Sequence, residues 1–199
     1  MHDFGEYTPF DVSVDSQMDP FLFHNDFPLE WAKVNREAEQ ESSLGEEIVS
    51  FMRAGSTMSP AFTDLFWMGD QLPTYDRFDG LHSTVIGLMN GGLSGFSWGH
   101  SDIGGYTTFK LLAYEMLRDK QLTMRWIESN TFSDIVLRTH PSNNPSKNWH
   151  IYSDDETAQF MAYFGSIHKA LAPYKRTLMT EATTRGIPIT RPLFLEFPQ

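Results

Sequence analysis

The sequence predicts an α/β fold amounting to about half of an eight-strand barrel, on three observations. Short apolar runs alternate with helix-length amphipathic segments. Each run opens into polar or glycine-bearing residues, as happens where a barrel strand reaches its functional end. Four such runs and a leading stub supply only about half of eight strands, so a closed barrel is expected to need further sequence.

In chain order, a stub leads into Asp3-Phe-Gly-Glu-Tyr7, and the first helix is expected over Leu29 to Glu41. Strands are expected at Glu47 to Met52, Leu65 to Met68, Leu93 to Trp98 and Ile135 to Leu137. They open into Arg53-Ala-Gly55, Gly69-Asp-Gln71, Gly99 to Gly105 and Arg138-Thr-His140. A second helix is expected over Phe109 to Glu128 and a third over Glu156 to Arg185. The third begins at a capping-box spacing of Ser153 and Glu156, and Phe160, Phe164, Ile167 and Leu171 form its apolar stripe. Pro173 is expected to kink or interrupt it.

The chain has 199 residues, 40% of them hydrophobic and 14% aromatic, enough for one domain with a core. Its 26 acidic against 15 basic residues give a net charge of -11, which disfavours nucleic acid, whose binding is built from clustered Lys and Arg. With no cysteine, disulfides and thiolate chemistry are excluded, without choosing between cytosol and exterior. Neither a signal peptide nor a membrane-spanning run is visible. His24, His82 and His100 lack metal-ligand spacing, so no metal is expected.

Two aromatic segments each bring an Asp to a strand end: Asp3-Phe-Gly-Glu-Tyr7 and Phe66-Trp-Met-Gly-Asp-Gln71. Glycoside cleavage with retention needs one carboxylate to attack the anomeric carbon and another to protonate the leaving oxygen, about 5 to 5.5 Å apart. Asp3 and Asp70 are the candidates, against a local reading in which both are loop or turn residues.

The sequence resembles glycoside hydrolase family 31, within it the branch of sulfoquinovosidases and sulfoquinovosidase-like α-glucosidases. The likeness runs in order through Asp3-Phe-Gly-Glu-Tyr7, His24-Asn25, Trp31-Ala-Lys33, Met52-Arg-Ala-Gly55, Trp67-Met-Gly-Asp-Gln71, Asp79-Gly-Leu81, His100-Ser-Asp-Ile-Gly-Gly-Tyr106, Arg138-Thr-His140 and Arg191-Pro-Leu-Phe-Leu195. The resemblance implies the C-terminal half of a (β/α)8 TIM-type barrel, from about strand 4 to helix 8 over residues 1–192. Residues 193–199 would begin the connection to a C-terminal β-domain. The family's N-terminal β-domain and first barrel half would lie outside this sequence.

The same resemblance implies roles. Asp3 would be the nucleophile and Asp70 the general acid and base, with no cofactor. Arg53 would contact the sugar in the cleaved position, where a planar five-donor guanidinium can serve several oxygens, against a surface ion pair. His140 would bind sugar hydroxyls, against a loop cap. Trp67 would line the pocket, against plain barrel core. Glu6 would support the site, and Asp102 would orient Arg53 or Asp70, against solvated-loop and turn roles. Tyr106 would help bind a sulfonate, partly through water, and Gln71 stands where many α-glucosidases carry Asn. The pattern departs from the branch at Leu72 to Arg77, at Ser97-Trp-Gly99, and in a longer connection over 107–125.

The expected function is a retaining α-glycosidase acting on α-linked sulfoquinovosides or related α-glucosides. Its expected partner is a small-molecule α-glycoside, with no nucleic acid and no membrane. Two alternatives stand beside it: a neutral-sugar α-glucosidase, and an inactive carbohydrate-binding or interaction remnant.

Overall fold

The computed structural model describes residues 1–15 and 17–198. The chain divides into two units, Met1–Trp67 and Met68–Gln199.

In the first unit, helix α1 (Pro20–Glu41) lies beside two short strands, β1 (Phe51–Met52) and β2 (Leu65–Trp67). The strands pair in parallel, Phe51 with Leu65 and Met52 with Phe66, and the leading stub joins them through a parallel bridge between His2 and Met52. Helix α1 starts nine residues before its expected beginning at Leu29. The Asp19 side chain accepts from the Phe21 N–H at 2.9 Å, and Pro20 opens the helix where no N–H is needed. Pro28 therefore sits inside the helix, costing it a hydrogen bond.

Arg36 fastens α1 to the strands. It meets Glu39 at 2.9 Å and Asp64 at 3.0 Å, while Asp64 accepts from the Ser50 N–H at 2.8 Å. Glu39 also faces His2 at 3.1 Å, and burial pulls the His2 pKa down against the attraction of that carboxylate.

The second unit contains helix α2 (Leu81–Leu93), strand β3 (Gly99–His100), the hairpin of β4 (Phe109–Leu111) and β5 (Tyr114–Met116), and helices α3 (Lys120–Ser133), α4 (Asp155–Ala170) and α5 (Ala172–Arg185). Its core joins Leu81, Ile103, Leu122, Trp126 and Ile127, with Phe160 and Phe164 of the expected stripe packed against them.

Several boundaries differ from expectation. Helix α2 occupies a segment for which no element was expected, and two of its glycines are close contacts. A Cβ on Gly87 would come within 2.6 Å of Met68 Sδ, and one on Gly92 within 2.5 Å of Pro188 Cβ. The strand expected at Leu93 to Trp98 accordingly begins only at Gly99. The helix expected from Phe109 is first a hairpin, pairing Lys110 with Glu115, and α3 starts where Asp119 accepts from the Leu122 N–H at 2.7 Å.

The strand expected at Ile135 to Leu137 is reduced to a parallel bridge between Ile103 and Thr139. The long last helix is two, separated at Leu171, with Pro173 in the first turn of α5. Asp154, not Ser153, caps α4, accepting from the Thr157 N–H at 2.7 Å; Ser153 Oγ instead accepts from the His150 N–H. Among the described residues, no helix is long and apolar enough to cross a membrane.

Candidate active site

Asp3 follows the His2 bridge directly, so the parallel pairing with β1 sets where its carboxylate emerges. Phe4 and Gly5 then take positive φ values of 64° and 109°, turning the chain sharply. A side chain on Gly5 would press on Ala54 Cβ at 3.3 Å, besides straining the backbone.

Arg53, one residue beyond β1, reaches both acids of the loop. Its Nη1 lies 3.1 Å from Asp3 Oδ1 and its Nη2 lies 2.7 Å from Glu6 Oε1. The guanidinium is almost buried and stands 4.7 Å from the Phe4 ring, 5.6 Å from Tyr7 and 5.8 Å from Trp67, within cation–π range of all three. Trp67 is itself buried, edge-on to Phe51 at 5.7 Å.

Asp3 Oδ1 also accepts from the Phe4 N–H at 2.8 Å. Glu6 Oε2 is buried without a hydrogen-bond partner among the described residues. The first unit thus gathers Asp3, Glu6, Arg53 and Trp67.

The second unit gathers the remaining candidates. Asp70 is exposed after Gly69, whose φ is 78°, and its carbonyl accepts from Thr107 Oγ1 at 2.9 Å. Gln71 is buried; its Nε2 donates to Ser83 Oγ at 2.6 Å, while its carbonyl accepts from the N–H groups of Tyr106 at 2.8 Å and Thr107 at 3.0 Å. Those last bonds seat the Tyr106 loop on the Asp70 loop. The approach needs Gly105, because a Cβ there would lie 2.8 Å from the Leu72 carbonyl oxygen.

The Tyr106 and His140 rings meet edge to face at 4.7 Å and 88°. His140 Nδ1 accepts from the Ser142 N–H at 3.0 Å, so in the neutral ring the proton sits on Nε2, ready to donate. Burial, with Arg138 and Arg118 nearby, lowers the His140 pKa and favours that neutral ring.

Asp102, expected to steer Arg53 or Asp70, is buried and accepts from Arg138 Nη1. Burial pushes its pKa up to about 6 against the pull of Arg138, and the Asp70 charge adds to the rise. His100 beside this pair is fully buried and, desolvated near Arg138, falls to about 4, so it is neutral at neutral pH.

The resemblance implies no separate role for Arg138, and Arg118 lies outside every motif that carries it. Arg118 is 2% exposed and donates to four main-chain carbonyls. Nothing in the local sequence distinguishes it from a solvated arginine on the helix expected over Phe109 to Glu128. Among the described residues, no group of three or more His, Cys, Asp or Glu is placed to hold a metal ion.

In the first unit the Asp3 and Glu6 carboxylates, the Arg53 fork and aromatic faces lie together just beyond the ends of short parallel strands, where barrel enzymes carry their functional residues. The chain belongs to glycoside hydrolase family 31: the model of that family's TIM-barrel domain matches residues 2–178. It is 40% identical over 197 residues to a sulfoquinovosidase of Agrobacterium fabrum, covering 99% of this chain and 29% of that protein. A sulfoquinovosidase of Escherichia coli is 39% identical over 197 residues, covering 99% and 28%.

Among solved structures, a family 31 sulfoquinovosidase from E. rectale in complex with an aza-sugar inhibitor superposes with a TM-score of 0.91 at 40% identity, covering 98% of this chain and 29% of that one. A cycloalternan-degrading enzyme from Trueperella pyogenes shares the fold, with a TM-score of 0.76 at 19% identity, covering 94% and 26%. The chain therefore spans under a third of the length of the relatives it matches, and it is an α/β portion of the family's barrel domain.

Proposed function

We infer that residues 1–192 form the C-terminal half of a (β/α)8 catalytic barrel, from about strand 4 to helix 8. Residues 193–199 lead toward a C-terminal β-domain. Within the full-length protein this half hydrolyses α-linked sulfoquinovosides, or related α-glucosides, with retention of configuration. The observation that carries the reading is the state of Asp3. Arg53 and the Phe4 N–H both hold Oδ1, leaving Oδ2 without a hydrogen bond among the described residues. One oxygen is anchored and the other is left to attack.

In the reaction, Asp3 Oδ2 bonds to the anomeric carbon as the glycosidic bond breaks, and Asp70 gives its proton to the departing oxygen. Asp70, now a carboxylate, takes a proton from water, whose oxygen attacks the same carbon and releases Asp3. Arg53 and Glu6 orient the nucleophile, and the Nε2–H of His140 is available to a sugar hydroxyl. Asp102, held by Arg138, places negative charge near Asp70.

The sulfosugar substrate class is supported by 40% and 39% identity to two sulfoquinovosidases, and the resemblance drawn from the sequence implies the same branch through Tyr106 and Gln71. The test is to incubate the full-length protein with matched α-sulfoquinovoside and neutral α-glucoside substrates and follow the first-formed anomer by proton NMR. Faster release from the sulfoquinovoside as the α-anomer is expected. First-formed β-anomer, or no turnover of either, would reject the reading.

A further inference from the structure

We propose that Arg118 is a positioning residue for substrate binding, setting the Tyr106 and His140 pair by clamping the main chain that carries each; this rests on the substrate-binding reading of those two side chains. Its Nη1 donates to the carbonyls of Ile103 at 3.1 Å and Gly105 at 2.9 Å, the latter immediately preceding Tyr106. Its Nη2 donates to the carbonyl of His140 itself at 2.7 Å, and its Nε to that of Trp149 at 2.6 Å. One rigid fork therefore fixes the loop before Tyr106 and the residue His140 at the same time. Lysine, a point donor on a flexible stem, cannot reproduce those directions.

The neighbourhood is built around this side chain. A Cβ on Gly104 would lie 2.1 Å from Arg118 Cδ, so glycine at that position leaves the room through which the stem passes. The Arg118 N–H is held by Asn148 Oδ1 at 2.8 Å, and Asn148 Nδ2 donates to Ser142 Oγ at 2.8 Å, securing the turn that follows His140.

No carboxylate hydrogen-bonds to the guanidinium among the contacts described, so its charge is spent on orienting carbonyls. A buried cation held this way costs more than a neutral residue would if stability alone were served. A pocket of about 160 Å³, lined by Arg118, His140, Ile103, Pro141 and Ile151 among others, adjoins the clamp. It offers a small cation a way in.

The experiment uses the full-length protein and compares Arg118→Lys, Arg118→Ala, His140→Ala and the double variant Arg118→Lys with His140→Ala. Expected for Arg118→Lys is a rise in KM on the order of tenfold with kcat little changed, since a misplaced contact weakens binding without touching the reacting carboxylates. In the double variant the two KM effects should fall short of multiplying, because the part of the Arg118 effect that runs through His140 is already lost. Free guanidinium at non-denaturing concentration should restore the KM of Arg118→Ala but not that of His140→Ala.

Full multiplication of the single effects, an unchanged KM in Arg118→Lys, or absence of guanidinium rescue in a folded Arg118→Ala would each overturn the clamp. If Arg118→Ala does not fold, the KM split and the cycle with Arg118→Lys decide alone. An unaltered KM in His140→Ala would instead overturn the substrate-binding reading beneath it.

Discussion

Arg53 holds Asp3 through Nη1 and Oδ1 at 3.1 Å, a contact that engages one of the two carboxylate oxygens. The same guanidinium spans to Glu6 at 2.7 Å, so it fixes the relative placement of the two acids in the loop. Arg53→Lys keeps the charge but cannot reach both carboxylates along fixed directions. A fall in kcat/KM of about 10²- to 10³-fold is expected in the full-length protein, roughly 3 to 4 kcal/mol of transition-state stabilisation. Steady-state kinetics within threefold of wild type would show that the fork is dispensable.

Asp3→Asn and Asp70→Asn should each abolish most hydrolysis of an unactivated α-glycoside while leaving the circular dichroism spectrum unaltered. Removing either nucleophile or proton donor costs orders of magnitude in rate. The two variants should part on aryl glycosides with acidic leaving groups, where Asp70→Asn is partly spared in the first step because little protonation is needed. Near-normal turnover of the unactivated substrate by either variant would remove that residue from the pair.

Tyr106→Phe separates sulfosugar from neutral-sugar recognition. The hydroxyl can donate to an anionic oxygen, and losing one hydrogen bond to a charged group costs about 1 to 3 kcal/mol, part of which water can restore. Catalytic efficiency on an α-sulfoquinovoside should fall more than on the matching α-glucoside. Equal losses in parallel assays would reject sulfonate contact at this position.

Asp102 gives a pH signature. Its pKa is about 6 in the fold against an ordinary 3.8, so between those values the folded state holds a proton that the unfolded chain has released. Its contribution to stability is complete below the lower value and is lost as pH rises through the upper, by on the order of 3 kcal/mol. His100 works the other way: its fall from 6.5 to about 4 makes stability rise with pH across a similar window, and the two effects offset each other in the wild type.

Asp102→Asn removes only the first. Its thermal midpoint relative to wild type should therefore climb steadily from pH 4 to pH 6.5. A constant difference over that range would mean that burial does not govern the Asp102 proton.

The order of chemical motifs was legible in the sequence because each is short and local. Asp3, Arg53, Asp70 and His140 lie in the loops or bridge-side segments where the motifs put them. Helix capping was not. The spacing pointed to Ser153, but Ser153 Oγ is engaged by the His150 N–H and its neighbour Asp154 closes the first turn of α4, while the caps at Asp19 and Asp119 emerged only with the fold.

What the sequence alone determined was therefore the ordered motifs that carry the family resemblance, the candidate pair Asp3 and Asp70, and an alternation of strand and helix, each written in short runs of neighbouring residues. Tertiary structure alone decided the partners. Helix α2, with Met68 and Pro188 packed close against two of its glycines, went unanticipated, and the hairpin at 109–116 replaces a helix by cross-strand pairing. Arg118 looks like any surface arginine until four carbonyls from three stretches of chain converge on it. Main-chain carbonyls are identical at every position, so no residue code announces which of them will meet a buried guanidinium; only the folded path of the chain does.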